Sequence, residues 1–218
     1  MSELRTAASI SLHTLLRGSG PRFARDTAGP VVCFYVGWKL AGLGAGVAAG
    51  TGFAVAAFVW ERRHGRSGLA ASLGLGIALV QAIVGVASGS AIGYLAPGVV
   101  ANGLYGLAFI VSVVIGRPLA GVFAGETYPF PPEVKASRTF RRTFAIVSLV
   151  WGLAFLIRCA FRLVVLSWQN VDLFVVINLL TGFPLNVALM VWSMWYGLRS
   201  FRRSTEWGGA VARRAADG

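Results

Sequence analysis

The sequence has few acidic side chains and few metal-binding ones. Only 8 of its 218 residues are Asp or Glu, 2 are His and 2 are Cys. Cys33 and Cys159 lie in apolar runs, where a buried structural thiol is expected. His13 and His64 lie in basic stretches, so no spacing predicts a zinc site. No Ser-His-Asp, paired-carboxylate or HExxH arrangement occurs, so hydrolase chemistry lacks visible residues. We expect no metal and no cofactor.

Charge of either sign is scarce, and apolar residues take its place. The chain is 56% hydrophobic and only 13% charged, with a mean hydropathy of +0.69. A soluble domain has about 25% charged residues. Apolar runs near the ~20-residue spanning length recur along the chain. The composition therefore predicts an all-α fold, a polytopic transmembrane helical bundle with five to six membrane segments.

The first apolar stretch, residues 30–60, is long for one span and short for two. Five glycines interrupt it: Gly42, Gly44, Gly46, Gly50 and Gly52. We expect a short helix over 30–41 and a second over 43–60 with a sharp turn between them, as in discontinuous segments that line a site. A single long tilted helix is the alternative. The first, third and fourth glycines form a small-xxx-small face, which suits an internal packing seam or a dimer face.

The remaining apolar runs place four further segments along the chain. They are expected at residues 67–88, 92–116, 143–168 and 171–198. The link over 117–142 contains several prolines and is not expected to span. The predicted organisation has three parts: a basic amphipathic N-terminal segment (1–29), a transmembrane domain (30–199) and a basic tail (200–218).

The net charge of +12 indicates topology rather than nucleic-acid binding, since no folded basic module is visible. All but three Lys and Arg residues flank the apolar runs, in the N-terminal segment, 61–66, 117–142 and the tail. Cytoplasmic loops are enriched in Lys and Arg. We therefore expect a multi-pass membrane protein with both termini in the cytoplasm. A re-entrant 30–60 stretch would leave four full spans and the same orientation.

Three cations, Lys39, Arg158 and Arg162, lie inside apolar runs. A charge within the bilayer normally faces a protein interior, a water-filled cavity or a partner. Trp151 and Phe155 share a helical stripe with the two arginines. The other polar or aromatic candidates for ligand binding are Tyr35, Asn102, Tyr105 and Asn178.

The charges of these segments predict an anionic ligand. Three cations face one carboxylate, Asp172, and a planar guanidinium suits a phospholipid head group or an isoprenoid diphosphate. The alternative is a purely structural network in which Asp172 pairs with Arg162. A second constellation, Arg117, Pro118 and Glu126, lies at the inner end of segment 92–116, where structural pairing of Glu126 is favoured over proton chemistry.

The order of these features resembles a known family. Tyr35 with Lys39 comes early, followed by "NGLYGLAFIVSVVIGRPLAGVFAGE", a Pro-containing link and "VSLVWGLAFLIRCAFRLVV". This is similar to the intracellular septation protein A (YciB) family and its uncharacterised actinobacterial integral membrane relatives. The resemblance implies an inner-membrane protein of envelope upkeep and cell division, with division or envelope proteins as partners. It implies no catalytic residues.

These observations predict a protein that binds or organises envelope and lipid components through a cationic intramembrane site. One alternative is an intramembrane enzyme acting on an isoprenoid, like a small membrane terpene cyclase. Asp172 or Glu126 would then be the acid, and Trp38, Trp151 and Phe155 would stabilise a carbocation. A small transporter is a further alternative, indicated by the broken first segment.

Overall fold

The computed structural model describes residues 20–64, 69–127 and 130–206, and within these ranges the chain is helical and contains no strand. The predicted amphipathic N-terminal segment and basic tail lie largely outside these residues. Seven helices follow one another in the described ranges: α1 (Gly20–Arg63), α2 (Leu69–Ser88), α3 (Ala91–Val114), α4 (Leu119–Thr127), α5 (Pro132–Ala136), α6 (Arg138–Ser167) and α7 (Val171–Arg202).

Helix α1 is a hairpin of two helical arms, residues 20–40 and 43–63. The backbone leaves the helical region at Ala41 (φ −142°) and at Gly42, whose φ of +83° is the left-handed region that glycine adopts without strain. The two arms then pack against each other. A Cβ on Gly46 would lie 2.8 Å from the carbonyl oxygen of Phe34. These contacts confirm the predicted sharp turn and contradict a single long helix.

Glycines allow the two arms to approach this closely. A Cβ on Gly37 would lie 2.8 Å from the carbonyl oxygen of Ala45, and one on Gly50 would lie 2.9 Å from that of Pro30. The small-residue face is thus an internal seam in α1. The apolar part of the first arm, residues 29–40, is about 18 Å long at ~1.5 Å per residue, so it is shorter than the ~30 Å hydrocarbon core.

In the part of the chain that the structure describes, four helices are long and apolar enough to cross a membrane: α3, α6, α7, and α1 from Gly29 onward when its two arms are counted together. Helix α2 is also apolar, and it packs against α1. Helices α4 and α5 have 9 and 5 residues and do not span, as the prolines of this link predict. This is the architecture of a multi-pass membrane protein, and it confirms the predicted all-α bundle.

The chain forms two compact units, and α3, α6 and α7 each contribute to both. Among the described residues, the first unit contains those from 20 to 102 and from 158 to 185. Its core includes Phe34 and Tyr94, whose rings stack with centroids 3.9 Å apart. Val165 and Phe174 of α6 and α7 complete this core. The core therefore fixes the hairpin against the segments that carry Arg162 and Asp172.

The second unit contains the described residues from 103 to 157 and from 186 to 206. Gly106 of α3 and Gly152 of α6 allow close backbone approach, since a Cβ on Gly106 would lie 2.9 Å from the Gly152 carbonyl oxygen. Helix α6 begins five residues before the predicted boundary. The reason is an N-cap: the hydroxyl of Ser137 accepts a hydrogen bond from the Phe140 N–H at 3.2 Å.

Candidate functional site

Arg158 and Arg162 are both buried inside the protein, each only 5% exposed. They lie one turn apart on α6, so both project from the same face of the helix. Two adjacent guanidinium charges in a low-dielectric interior repel each other and lose their hydration. The arrangement is therefore costly unless anionic or dipolar groups compensate it.

The partners that Arg162 has in the protein are neutral. One terminal nitrogen of its guanidinium, Nη2, donates to the carbonyl oxygen of Asn178 at 3.1 Å and to the hydroxyl of Thr181 at 3.2 Å. Its Nε is buried and has no hydrogen-bond partner among the described residues. Gly182 leaves space beside the guanidinium, since a Cβ there would lie 3.8 Å from Nη2. Among the described residues, Arg162 thus has only neutral partners, and its Nε donor is unused.

Asp172 pairs with Lys39 and Tyr35, which connects the first arm of the hairpin to the first turn of α7. The Lys39 ammonium lies 2.9 Å from Oδ1 and 3.0 Å from Oδ2 of Asp172, and the Tyr35 hydroxyl donates to Oδ1 at 2.9 Å. The ammonium also lies 5.2 Å from the centroid of the Trp38 ring. The alternative in which Asp172 pairs with Arg162 is therefore wrong.

The two polar clusters lie at different depths along α7. Asn178 follows Asp172 by six residues, which is about 9 Å along a helix axis. The Tyr35–Lys39–Asp172 cluster is exposed, whereas Arg158 and Arg162 are buried. Lys39 and Asp172 neutralise each other, and Asp172 is the only acidic residue between positions 134 and 205. Within the described part of the chain, Arg162 therefore has no acidic partner.

Three aromatic candidates, Tyr105, Trp151 and Phe155, belong to the second unit. Trp151 and Phe155 of α6 pack around Phe109, with ring centroids 6.2 and 5.9 Å from it. Tyr105 lies 6.2 Å from Phe155, and the Trp151 indole N–H donates to the Ser193 hydroxyl at 2.9 Å. These residues form an aromatic cluster within that unit, and the charged candidates lie in the first unit.

Three further candidates, Asn102, Glu126 and Arg117, are not brought to the buried arginines by any described contact. Asn102 donates through Nδ2 to the Gly98 carbonyl oxygen of its own helix at 2.8 Å. The side chain of Glu126 is not among those described. Arg117 is exposed after the end of α3. In the described ranges, no group of three or more His, Cys, Asp or Glu side chains is placed to hold a metal ion.

Thr181 is a site residue that the sequence reasoning missed. Its hydroxyl accepts from Arg162 while donating to the Ile177 carbonyl oxygen at 2.7 Å. A signal was present, because Thr181 follows Asn178 by three residues in an otherwise apolar helix and so lies on the same face. A hydroxyl bonded back to its own helix turn is common in apolar helices, however, and gives no indication of a distant arginine.

The fold is that of a multi-pass membrane protein, and two arginines are buried inside it. The chain belongs to the family described as "Protein of unknown function (DUF3159)", which matches residues 19–205. No curated protein and no solved structure gives a significant match to the chain. The family match does not test the resemblance to septation protein A, which stays a prediction.

Proposed function

We propose that this protein binds the anionic head of a lipid at Arg158 and Arg162, within the membrane. The proposal depends chiefly on the buried charge of Arg162, whose protein partners are a backbone carbonyl and a hydroxyl. A phosphate or diphosphate would neutralise both guanidinium groups and accept their charge-assisted hydrogen bonds. Buried ionisable residues in membrane segments commonly mark such ligand or ion sites.

The geometry supports ligand binding more than catalysis. Asp172, one of the two candidate acids, accepts from Lys39 and Tyr35 and is paired with a cation. A carboxylate held this way is stabilised in its ionised form and is a poor proton donor. The ammonium of Lys39 also lies over the Trp38 ring, which an isoprenoid carbocation would otherwise contact. An isoprenoid enzyme is accordingly the weaker alternative.

The cellular setting is also part of the proposal. We place the protein in a bacterial inner membrane with both termini in the cytoplasm, because exposed arginines end α1 and α7, follow α3 and begin α6. The resemblance to septation protein A adds the proposal that the bound lipid is a component of envelope assembly. Division or envelope proteins are the partners that this role would require.

Native mass spectrometry of the protein purified in mild detergent tests the lipid site. The wild type is expected to retain an anionic lipid, identified by lipid analysis of the same sample. Arg162→Met is expected to lose it, and Arg162→Lys to retain part of it, because lysine keeps the charge but lacks the planar fork.

The matched control is Arg62→Met, which removes an exposed arginine in the last turn of α1. It should leave the retained lipid unchanged. Identical lipid profiles in wild type and Arg162→Met, with both proteins folded, would contradict the proposal and assign the arginines a structural role.

A further inference from the structure

Exposed arginines gather at one end of the second unit, where the start of α6 meets the end of α7. The Thr139 hydroxyl donates to Oε2 of Glu206 at 2.8 Å, and the hydroxyls of Thr143 and Ser200 are hydrogen-bonded at 2.6 Å. These contacts hold the two helix ends together. The arginine rim consists of Arg138, Arg141, Arg142, Arg199, Arg202 and Arg203, all exposed.

The short helix α4 lies against the first turns of α6, beside the arginine rim. The Ala120 N–H donates to the buried Ser148 hydroxyl at 3.0 Å, which satisfies one free donor at the start of α4. A Cβ on Gly121 would lie 3.3 Å from atoms of Phe140 and Phe144. Phe130, after α4, packs edge-on against the same two rings. These contacts fix one face of α4 to the bundle.

Another face of α4 is apolar and half exposed. Val122 is 50% and Phe123 is 48% exposed, in a helix too short to cross a membrane. On α7, Trp195 is 52% exposed, and the Arg199 guanidinium lies 5.1 Å from its ring centroid. An exposed tryptophan followed by arginine is typical of the boundary between hydrocarbon and head groups. The rim and α4 therefore lie at the level of lipid head groups.

We infer that the arginine rim and α4 form a binding surface for anionic phospholipids of the adjoining leaflet. The six arginines of the rim outnumber the acidic residues at positions 119–142 and 199–206, which are Glu126, Glu133 and Glu206. Glu206 accepts hydrogen bonds from Thr139. Clusters of four to eight basic residues beside membrane helices attract anionic lipids. Val122 and Phe123 would insert at the boundary of acyl chains and head groups, as the apolar residues of an interfacial helix do.

This surface consists of residues other than the buried arginines, and it is tested in the Arg162→Met protein, in which the proposed buried site is expected to lose its lipid. Native mass spectrometry titrates the Arg162→Met protein with phosphatidylglycerol and with phosphatidylcholine of the same acyl chains. We expect tighter binding of phosphatidylglycerol. Adding Arg141→Gln and Arg142→Gln should weaken its binding roughly 20- to 30-fold and leave phosphatidylcholine unchanged.

The control adds Arg62→Gln and Arg63→Gln instead, which removes the same charge from the end of α1. If the two pairs of substitutions weakened phosphatidylglycerol binding equally, the inference would be overturned, because the total charge and not the position of the rim would then determine binding. No preference for phosphatidylglycerol before the substitutions would also overturn it.

A second measurement needs no substitution, so it tests the inference even if the substituted proteins do not fold. Hydrogen exchange of residues 119–127 in nanodiscs should be slower with phosphatidylglycerol than with phosphatidylcholine. Equal exchange in the two lipids would contradict the inference without any substitution.

Discussion

Burying the charge of Arg162 costs more free energy than its two described hydrogen bonds are expected to recover. Replacing a buried ionic group by an apolar side chain of similar volume is often neutral or stabilising. Both acceptors would keep another hydrogen bond: the Asn178 carbonyl lies within α7, where the helix supplies an N–H, and the Thr181 hydroxyl still donates to the Ile177 carbonyl oxygen. A residue kept at such a cost is better explained by ligand binding than by stability.

Arg162→Met should therefore leave thermal stability unchanged, or raise it by up to ~4 kcal/mol, in ligand-free detergent-purified protein. Lys39→Met is the contrasting variant, because it leaves the Asp172 carboxylate without its cation and should lower the melting temperature. Thermal unfolding followed by circular dichroism measures both. A drop for Arg162→Met as large as that for Lys39→Met would show that the guanidinium is a structural group.

Helix α1 shows how small residues determine the shape of an element. Gly46 and Gly50 lie where the two arms touch, and backbone atoms occupy the space that a Cβ would need. Gly44 and Gly52 lie on the same arm, and a Cβ at either would have no atom within 4 Å. The same substitution at these positions should therefore have opposite effects.

Gly46→Ala and Gly50→Ala should each destabilise the protein by about 1–3 kcal/mol, because backbone atoms cannot give way as a flexible side chain does. Gly44→Ala and Gly52→Ala should be neutral or stabilising by up to ~1 kcal/mol, since alanine favours the helix. Denaturation of the purified variants compares the two pairs. Equal effects at all four positions would contradict the packed hairpin.

The sequence was sufficient to predict the helices, but it was not sufficient to predict which side chains of different helices contact each other. The length of the apolar runs indicated each membrane segment, and the glycines indicated the turn near Gly42. The pairing of Asp172 was not predictable in this way, because Lys39 is more than a hundred residues away in the chain and only the fold brings them together. Arg158 and Arg162 were identifiable because a charge in an apolar run is rare.

At the scale of the whole molecule, the hairpin and the exposed basic residues predict which side of the membrane each helix end lies on. Both ends of α1 should lie on the cytoplasmic side, and the turns between α2 and α3 and between α6 and α7 on the outer side. Single cysteines test this in a background with Cys33→Ala and Cys159→Ala. Those at Ser90 and Asn170 should react with an impermeant maleimide in intact cells.

Cysteines at His64 and Lys135 should react only after the cells are permeabilised. Reaction at His64 in intact cells would show that α1 crosses the membrane once. The labelling pattern thus distinguishes the hairpin from a single span at the level of the whole protein.

The most direct test of the central claim is a titration that isolates the ligand's charge. Phosphatidic acid is compared with the diacylglycerol of the same chains, and a prenyl diphosphate with its alcohol, by native mass spectrometry of wild type and Arg162→Met. The account predicts that at least one charged ligand binds the wild type roughly 10- to 100-fold more tightly than its neutral counterpart, and that Arg162→Met loses this preference. The same preference in both proteins, or none in the wild type, would contradict an anion-binding site at Arg158 and Arg162.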